Sequence, residues 1–371
     1  MSPKPQIHLS IPALFEPLEL WNKDFRFEVT SNYLSLLLTS LEFVHVQKVH
    51  GLSACFFSSL GFNDTEIPAA HYRALAHRNN LLDATLNNQK NAILCADPVH
   101  FEVGMSDVTL TEIISDLSEA EAQEILDLLN QHFHQDGLQF FYGNNQHWYV
   151  TFPKSESIKT TPLEAVLNKN IVGLLPVSEQ RNWQQIQNEI QMLLHSSELN
   201  NQREIAGLTS LNSLWFWGGG KPESIKSDYE KIFSNDVPEN NEIKGEMFAQ
   251  AANCDWQKLP QNGRELINQL KNQGQRTGKF YILLDQLQQP VREENLDAYQ
   301  RVFTHIDEDY IKPLMHAWKK NQIDLVIDDA DGSLIRPLKT PVWSFWKQPQ
   351  PLSNIAARIN QQKNKVRIRL I

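Results

Sequence analysis

The sequence has 371 residues, of which 41% are hydrophobic and 21% are charged. This length and composition are typical of a globular protein with two or three domains and exclude a chain that is disordered throughout. The formal net charge of −10 disfavours nucleic acid and anionic membrane surfaces as partners, because both repel an acidic protein.

The cysteines and the apolar segments indicate a cytoplasmic protein. The three cysteines, Cys55, Cys95 and Cys254, lie far apart in the sequence, which predicts neither a disulfide framework nor a cysteine zinc site. The first residues, MSPKPQIHLSIPALF, lack the charged and then apolar segments of a signal peptide. No stretch approaches the roughly 18 apolar residues that cross a bilayer. We therefore expect no membrane partner and no nucleic-acid partner.

The first third of the chain predicts strands and helices in alternation. QIHLSIPALF predicts a strand that ends at Pro12, and NYLSLLLTSLEFVHVQKV predicts a helix because its leucines recur at helical spacing. NAILCADPVHF predicts a buried strand that stops at Pro98. In LSEAEAQEILDLLNQHFHQDG, Ser118 and Glu121 predict a capping box at the start of a helix, and Gly137 predicts its end.

The middle of the chain predicts an α+β arrangement. LQFFYG and HWYVTF flank NNQ and predict a β-hairpin. SEQRNWQQIQNEIQMLLHSSEL predicts an amphipathic helix with Ser178 as its N-cap. NSLWFWGGGKP then places bulky residues before three glycines, and it matches neither the Walker A nor the GxGxxG phosphate-binding pattern. This local pattern predicts a tight turn after a buried strand.

The last hundred residues predict a parallel sheet. KFYILLDQL and IDLVIDDADG are apolar strands, and a long amphipathic helix, NLDAYQRVFTHIDEDYIKPLMHAWKKN, lies between them. Strand, helix and strand at this length form a βαβ unit. The final segment, VRIRLI, alternates apolar and basic residues and predicts a closing strand with one solvated face.

Acidic residues follow the ends of the last two predicted strands: Asp285, Asp328, Asp329 and Asp331. The carboxyl ends of parallel strands meet at the edge of the sheet where ligands bind, and Mg²⁺ and Mn²⁺ prefer carboxylate oxygens. Aspartates also cap turns for local reasons, and no histidine pair with zinc-ligand spacing accompanies these four. The pattern alone leaves both interpretations open.

Several segments together resemble the RpfE-type regulatory proteins, a family often labelled cofactor-independent phosphoglycerate mutase. The resemblance covers the chain from about residue 7 to about residue 352. The segments that carry it are ADPVHFEV, EILDLLNQHFHQDGLQFF, WQQIQNEIQMLLH, NNQREIAGLTSLNSLWFWGGGKP and LDQL.

A more distant resemblance connects the chain with the archaeal-type cofactor-independent phosphoglycerate mutases of the alkaline phosphatase superfamily. The residues that follow the order of a segment in those enzymes are Asn200, Arg203, Gly207, Asn212, Trp215, Trp217, Gly218 and Gly220. The resemblance implies an α/β, alkaline-phosphatase-like core with a mainly parallel sheet flanked by helices, formed by residues 1–97 and 208–371. It also implies an α+β cap domain, inserted at residues 98–207.

The catalytic motifs of these mutases are mostly altered in this chain. Aligned on SLGF, the nucleophile position falls on Leu52, with Ser53 one place away, and the histidine of that motif falls on Phe56. The later ligand segments keep Asp285 and an aspartate of DDADG but neither histidine. Because phosphoryl transfer in this superfamily needs an activated nucleophile and a set of metal ligands, the resemblance implies a catalytically degenerate protein.

We therefore expect a regulatory or binding protein that needs no cofactor. A small anionic ligand would bind in the cleft between core and cap, at Asn200, Arg203 and Asn212, because arginine suits bidentate contact with an anion. Helix and loop capping explains the same three residues equally well. A protein partner is a further expectation.

Two alternatives stay open at this point. The first is an active phosphoglycerate mutase or phosphatase, in which Ser53 is the nucleophile. It would bind Mn or Zn through the four aspartates Asp285, Asp328, Asp329 and Asp331. The second alternative is a scaffold that uses an apolar or aromatic surface to bind another protein.

Overall fold

The computed structural model describes residues 4–46, 50–63, 66–77, 91–105, 107–153, 157–222, 227–236, 243–272, 277–339 and 350–369. Its strands are β1 (Pro5–Ser10), β2 (Leu41–Val46), β3 (Asn91–Val103), β4 (Val108–Ile113), β5 (Gln139–Tyr142), β6 (Trp148–Pro153), β7 (Lys169–Asn170), β8 (Ser213–Trp217), β9 (Tyr229–Ser234), β10 (Asp255–Lys258), β11 (Gly278–Leu283), β12 (Asp324–Asp328) and β13 (Ser333–Pro337). Its α-helices are α1 (Leu18–Phe25), α2 (Leu34–Leu37), α3 (Leu52–Ser59), α4 (Ala69–His77), α5 (Glu119–Phe133), α6 (Trp183–His195), α7 (Glu198–Ile205), α8 (Lys244–Ala252), α9 (Gly263–Asn272), α10 (Gln288–Arg292), α11 (Leu296–Ile306), α12 (Lys312–Lys319) and α13 (Leu352–Arg369).

The chain divides into two compact units. The first unit comprises residues 1–56, 226–235 and 252–371, and the second comprises residues 57–225 and 236–251. In the described ranges, no helix combines the length and the apolar character needed to cross a membrane.

The first unit contains a seven-stranded sheet with the order β10-β9-β11-β1-β12-β13-β2. The pairs from β10 to β12 are parallel, and β13 pairs antiparallel with both β12 and β2. Apolar side chains of β1, β11 and β12 pack with the helices on one face in a continuous hydrophobic core, which includes Ile7, Leu9, Ile282, Ile327, Tyr299, Phe303 and Leu314. The predicted α/β class with a mainly parallel sheet flanked by helices is confirmed.

The predicted βαβ unit is present as β11, the long helix and β12, but these two strands are not adjacent in the sheet. β11 and β12 both pair in parallel with β1, which lies between them. The long helix between them contains a π-helical turn at Asp307–Ile311. The carboxylate of Asp307 accepts hydrogen bonds from the main-chain N–H groups of Asn32, Tyr33 and Leu34, at 2.7, 2.9 and 2.8 Å. This side chain therefore caps the start of α2 from a distant part of the chain.

The second unit contains an antiparallel sheet with the order β5-β6-β3-β4-β7, and β8 pairs with β3. Its core packs α5 and α6 against the sheet through Leu129, Trp148, Trp183 and Phe216. The predicted hairpin is formed by β5 and β6, and α5 begins with the predicted capping box. The N-cap of α6 is Asn182 and not Ser178 as predicted.

The positions at which the units divide differ from the predicted domain limits at 97/98 and 207/208. The strand does not stop at Pro98, as that prediction required, because β3 continues to Val103. Pro98 lies opposite Leu214 of β8, and its carbonyl oxygen accepts a hydrogen bond from Ile114 N at 2.9 Å. A proline is tolerated in a strand where its missing N–H is not needed for pairing. Residues 91–97 and 213–217, which were expected in the core, therefore belong to the sheet of the second unit.

Two local predictions are wrong. The segment expected to be one helix from residue 32 forms the four-residue α2 and then β2, which pairs with β13. The basic C-terminal segment forms a helix up to Arg369, not a strand. The reason is tertiary packing, because α13 buries residues at helical spacing against the core of the first unit, namely Leu352, Ile355, Ala356 and Ile359.

Candidate functional site

The three glycines after β8 lie in a closely packed segment of the second unit. Gly218 has a positive φ of 77°, and its N–H donates to Thr160 Oγ1 at 3.1 Å. The N–H of Gly220 donates to the carbonyl oxygen of Ile67 at 3.0 Å, and a Cβ added at Gly220 would lie 1.6 Å from the carbonyl oxygen of Glu66. The two N–H groups are thus used inside the second unit. Residues 218–220 form neither a turn nor a bend, so the predicted tight turn is wrong, and close approach of two backbones explains Gly220.

A buried ion pair lies beside the start of the glycine segment, at Trp217. Arg73 of α4 donates to both carboxylate oxygens of Asp97, at 2.9 and 2.6 Å, and its Nε donates to the hydroxyl of Tyr149 at 3.2 Å. Trp217, directly before the glycines, donates from Nε1 to Asp97 Oδ2 at 2.7 Å. Both charges of this pair have close partners, which offset the free energy of removing the two side chains from water. The network joins α4, β3, β6 and β8.

Asn200, one of the three predicted ligand-binding residues, closes the loop between α6 and β8. Its side-chain amide donates to the carbonyl oxygens of Leu194 and Leu211, at 2.8 and 2.7 Å. Its carbonyl oxygen Oδ1 accepts from Leu211 N at 2.9 Å. The side chain is buried, so these bonds replace those it would make with water.

Arg203 and Asn212, the other two, also bind the protein itself. Arg203 is 2% exposed and donates to the carbonyl oxygen of Thr209 at 2.8 Å and to Asp116 Oδ1 at 2.6 Å. Asn212 exchanges two hydrogen bonds of 2.8 Å with the main chain of Phe101. These contacts are the ones expected if the three residues cap helices and loops. Anion binding by the three residues stays a prediction, and it would require an anion to compete with Asp116.

The acidic turn after β12 lies at the carboxyl edge of the sheet in the first unit. Asp328, the last residue of β12, pairs in register with Ser10, the last residue of β1. Asp328 Oδ1 accepts from Ser10 Oγ at 2.9 Å and from Ala330 N at 2.8 Å, and Oδ2 lies 2.6 Å from His8 Nε2. Both oxygens of this buried carboxylate are therefore engaged by the chain.

Lys363 of α13 lies against the other two aspartates of this turn. Its Nζ is 3.3 Å from Asp329 Oδ2 and 2.5 Å from Asp331 Oδ2, and the second oxygen of Asp331 contacts His50 Nδ1. We call Asp329, Asp331, Lys363 and His50 the lysine–aspartate network. An ammonium group thus contacts two of the four carboxylates that were predicted to bind metal.

The pKa values in this network follow from burial and from the lysine. Burial raises the pKa of Asp329 to about 6, although the charge of Lys363 opposes this shift. Burial also raises the pKa of Asp331, but the hydrogen bond from His50 and the charge of Lys363 outweigh it, so this pKa lies below its ordinary value. Burial lowers the pKa of Lys363, and the two carboxylates outweigh burial and raise it. The lysine therefore stays charged.

Asp285, the fourth predicted metal ligand, follows a different strand. It lies two residues beyond Leu283 of β11, which pairs with Ser10, and its carbonyl oxygen accepts from Gln288 N at 3.1 Å. Because β1 separates β11 from β12, two inter-strand spacings, about 10 Å, lie between the ends of these strands. Over the part of the chain that the structure describes, no group of three or more His, Cys, Asp and Glu side chains is arranged to hold a metal ion. Metal binding by the four aspartates stays a prediction.

Ser53 lies in the first turn of α3. Both Ser53 and Leu52 are 1% exposed, so neither side chain is open to a substrate. Cys55 of the same helix is half-buried near the acidic turn. Burial raises the pKa of its thiol, and the charges of Asp328 and Asp329 raise it further, which keeps the sulfur protonated and weakly nucleophilic.

The sequence analysis missed His8, Ser10, His50 and Lys363. His8 lies at the centre of an aromatic and polar cluster, with Nδ1 2.5 Å from the hydroxyl of Tyr229 and the ring 4.9 Å from that of Tyr281. A signal for His8 and Ser10 exists in QIHLS, where polar and apolar residues alternate along β1. No comparable signal exists for Lys363, because only the helical conformation of its segment brings it to the turn.

Comparison with solved structures gives a weak likeness over most of the chain. The PH0037 protein from Pyrococcus horikoshii is 11% identical, with a TM-score of 0.47, and the match covers 90% of this chain and 87% of that one. A cofactor-independent phosphoglycerate mutase from Thermoplasma acidophilum is 14% identical, with a TM-score of 0.36, and the match covers 90% and 88%. No protein-family model and no curated protein matches the sequence. At these values the likeness supports no inference about activity.

Proposed function

We propose that this chain is a binding or regulatory protein with a degenerate, phosphoglycerate-mutase-like architecture, and not a metal-dependent enzyme of phosphoryl transfer. We include in this proposal that the chain is a relative of the RpfE-type regulatory proteins, which its sequence resembles. The observation that carries it is the position of Lys363, whose ammonium group contacts both Asp329 and Asp331. The acidic turn is the best-placed set of carboxylates at the carboxyl edge of the sheet, and two of its three carboxylates already have a cation of the chain as partner.

A divalent cation at this turn would have to displace a lysine that is held by two carboxylates. Hard cations need several carboxylate or carbonyl oxygens at once, and Asp328 has one acceptor position left, on Oδ2, because Oδ1 accepts from Ser10 and Ala330 and Oδ2 contacts His8. The internal ammonium supplies its positive charge without loss of binding entropy, because it is part of the same chain. Competition therefore favours the lysine.

The nucleophile position supports the same proposal. Ser53 is buried in α3, and the thiol of Cys55, which lies near the aspartates, is held in its protonated form. An enzyme of this class needs an accessible oxygen or sulfur nucleophile that is activated by a base or a metal. These two side chains do not meet that requirement in the described structure.

The test is a calorimetric titration of the metal-stripped protein with Mn²⁺ and with Zn²⁺, combined with phosphatase and mutase assays. We expect no binding tighter than about 10 μM, roughly −7 kcal/mol, and no turnover. The Lys363→Ala variant leaves Asp329 and Asp331 without their cation, so we expect it to bind either metal more tightly than the wild type. Lys320→Ala, at an exposed position, is the matched control and should behave as the wild type.

Two outcomes would overturn the proposal. One is tight, stoichiometric metal binding by the wild type together with a turnover that Ser53→Ala abolishes, which is the result that the enzyme alternative expects. The other is equal metal binding by wild type, Lys363→Ala and Lys320→Ala, which would show that Lys363 does not compete with a cation.

A further inference from the structure

The sheet of the first unit has a cavity on the face opposite its hydrophobic core. Along β1 and β12, buried Ile7 and Leu325 alternate with exposed Gln6 and Asp324, so the polar residues form a second face. The cavity has a volume of about 300 Å³, which is the lower end of the range for small-ligand pockets. Its lining residues are Gln6, Ile7, His8, Lys279, Asp324, Leu325, Val326 and Arg336.

The strand register arranges charged and neutral groups in a row across this cavity. Gln6 pairs with Lys279 on one side and with Asp324 on the other. An ammonium group, an amide and a carboxylate thus stand on three adjacent strands, and Arg336 contributes a guanidinium from β13. Mainly parallel sheets are usually covered on both faces, so an open polar stretch of this kind is unusual.

The two cations of the cavity have partners that exchange easily. Arg336 Nη1 lies 2.7 Å from Glu42 Oε1, and the two side chains are 51% and 43% exposed. Lys279 Nζ lies 3.1 Å from Asp228 Oδ1, whose side chain is 77% exposed. Exposed ion pairs contribute little to stability, so a ligand oxyanion can replace either carboxylate at small cost. A guanidinium also has five N–H donors and can bind both oxygens of one anion.

The other lining groups permit an anion. The carboxylate of Asp324 is 2.7 Å from Lys4 Nζ, which reduces its repulsion of a bound anion. His8 forms a fixed floor, because its two ring nitrogens are bound to Tyr229 and Asp328 and its ring lies against Tyr281. The ligand contacts therefore fall to the amide of Gln6 and to the two cations.

We propose that this sheet-face pocket, defined by Gln6, Lys279, Asp324 and Arg336, binds a small molecule that carries a carboxylate or phosphate group. Arg336 is the anchor, and Lys279, three strand spacings or about 14 Å away, adds a second positive charge at the other side of the pocket. The inference rests on the proposed binding function, for which it names a site and a class of ligand. It differs from the predicted anion site at Asn200, Arg203 and Asn212, which lies in the second unit.

The experiment is a calorimetric titration of the metal-stripped protein in a chelator-free buffer, with inorganic phosphate and succinate as separate probes. We expect the wild type to bind at least one probe. Arg336→Ala should weaken binding about tenfold or more, and Lys279→Ala should weaken it by a smaller factor. Glu42→Gln should strengthen binding about threefold, because it removes the carboxylate that competes for Arg336. Arg301→Ala, at an exposed position on α11, is the matched control and should leave the affinity unchanged.

The outcomes separate the pocket from the proposed function. Binding of phosphate alone assigns phosphate esters, binding of succinate alone assigns carboxylates, and either supports the pocket if Glu42→Gln tightens it. No heat from either probe up to roughly 10 mM would overturn the inference, as would equal losses in Arg336→Ala and Arg301→Ala. Because the protein is metal-free in this titration, metal-dependent turnover found in the other assay would overturn the proposed function without affecting this result. Circular dichroism of each variant establishes that it is folded.

Discussion

At the scale of single residues, Asp329 of the lysine–aspartate network makes the free energy of unfolding depend on pH. Burial raises the pKa of this carboxyl from 3.8 to about 6 in the folded protein. A carboxyl with a raised folded-state pKa binds its proton more tightly when folded. Its contribution to stability is therefore complete below the unfolded pKa and is lost as the pH rises through about 6.

We expect Asp329→Asn, which cannot ionise, to remove this dependence. Relative to the variant, the free energy of unfolding of the wild type should fall by about 3 kcal/mol between about pH 3.5 and about pH 7. Urea unfolding at a series of pH values measures the difference. Asp24→Asn, at an exposed position, is the control and should give a constant difference. A constant difference for Asp329→Asn as well would contradict the raised pKa.

The candidate site could be predicted from the sequence only in part. The two strands and the acidic turn follow from local patterns, and Asp328 lies at the strand end where it was expected. Ser10 and Lys363, which engage the turn, are 318 and 34 residues away from Asp328 and Asp329 in the chain. Their role depends on a parallel strand pairing and on a helix that local alternation disfavours, so no local pattern predicts it.

At the scale of elements, close contact with the main chain of Glu66 fixes the position of Gly220 in the glycine segment after β8. A methyl group at Gly220 would meet the main-chain carbonyl oxygen of Glu66, which cannot rotate away as a side chain can. We therefore expect Gly220→Ala to reduce the free energy of unfolding by about 3 kcal/mol. Chemical unfolding followed by circular dichroism measures this loss.

Gly137 provides the comparison for this prediction. It has a φ of 71°, and nothing lies within 4 Å of an added Cβ, so Gly137→Ala tests the backbone conformation alone. We expect a loss of about 1 kcal/mol there. Equal losses at the two positions would show that the contact with Glu66 is relieved by a small shift of the chain.

Elements with a strong local pattern were predicted well, and elements defined by distant partners were not. α5, α6, β11 and β12 have clear periodicity or apolar runs, and all four are present. β2 and α13 instead depend on pairing with β13 and on packing against the core of the first unit. The same reason explains β3, which passes Pro98 because β8 pairs with residues 95–99 and β4 pairs with residues 99–103.

At the scale of the whole molecule, the net charge predicts weak binding to nucleic acid. The net charge is −10, and Lys363 of α13 forms ion pairs within the first unit. Non-specific binding to DNA depends on lysines and arginines that can replace counterions. The chain has 34 lysines and arginines against 44 acidic residues, so it has no excess of such groups.

We expect the protein to bind duplex DNA more weakly than about 100 μM at 0.1 M salt. Fluorescence anisotropy with a labelled duplex measures this, and a basic DNA-binding protein serves as the positive control. Micromolar affinity that falls linearly with the logarithm of the salt concentration would contradict the expectation.

The position of β1 in its sheet sets an order for folding during synthesis. This strand ends at residue 10 and is made long before its partners on both sides, β11 and β12, which end at residues 283 and 328. At ribosomal rates of about 5 to 20 residues per second, β1 waits about 15 to 60 s before it can pair. Most of the second unit is a continuous stretch that leaves the ribosome earlier. The first unit is therefore exposed to misfolding and to chaperones for longer than the second.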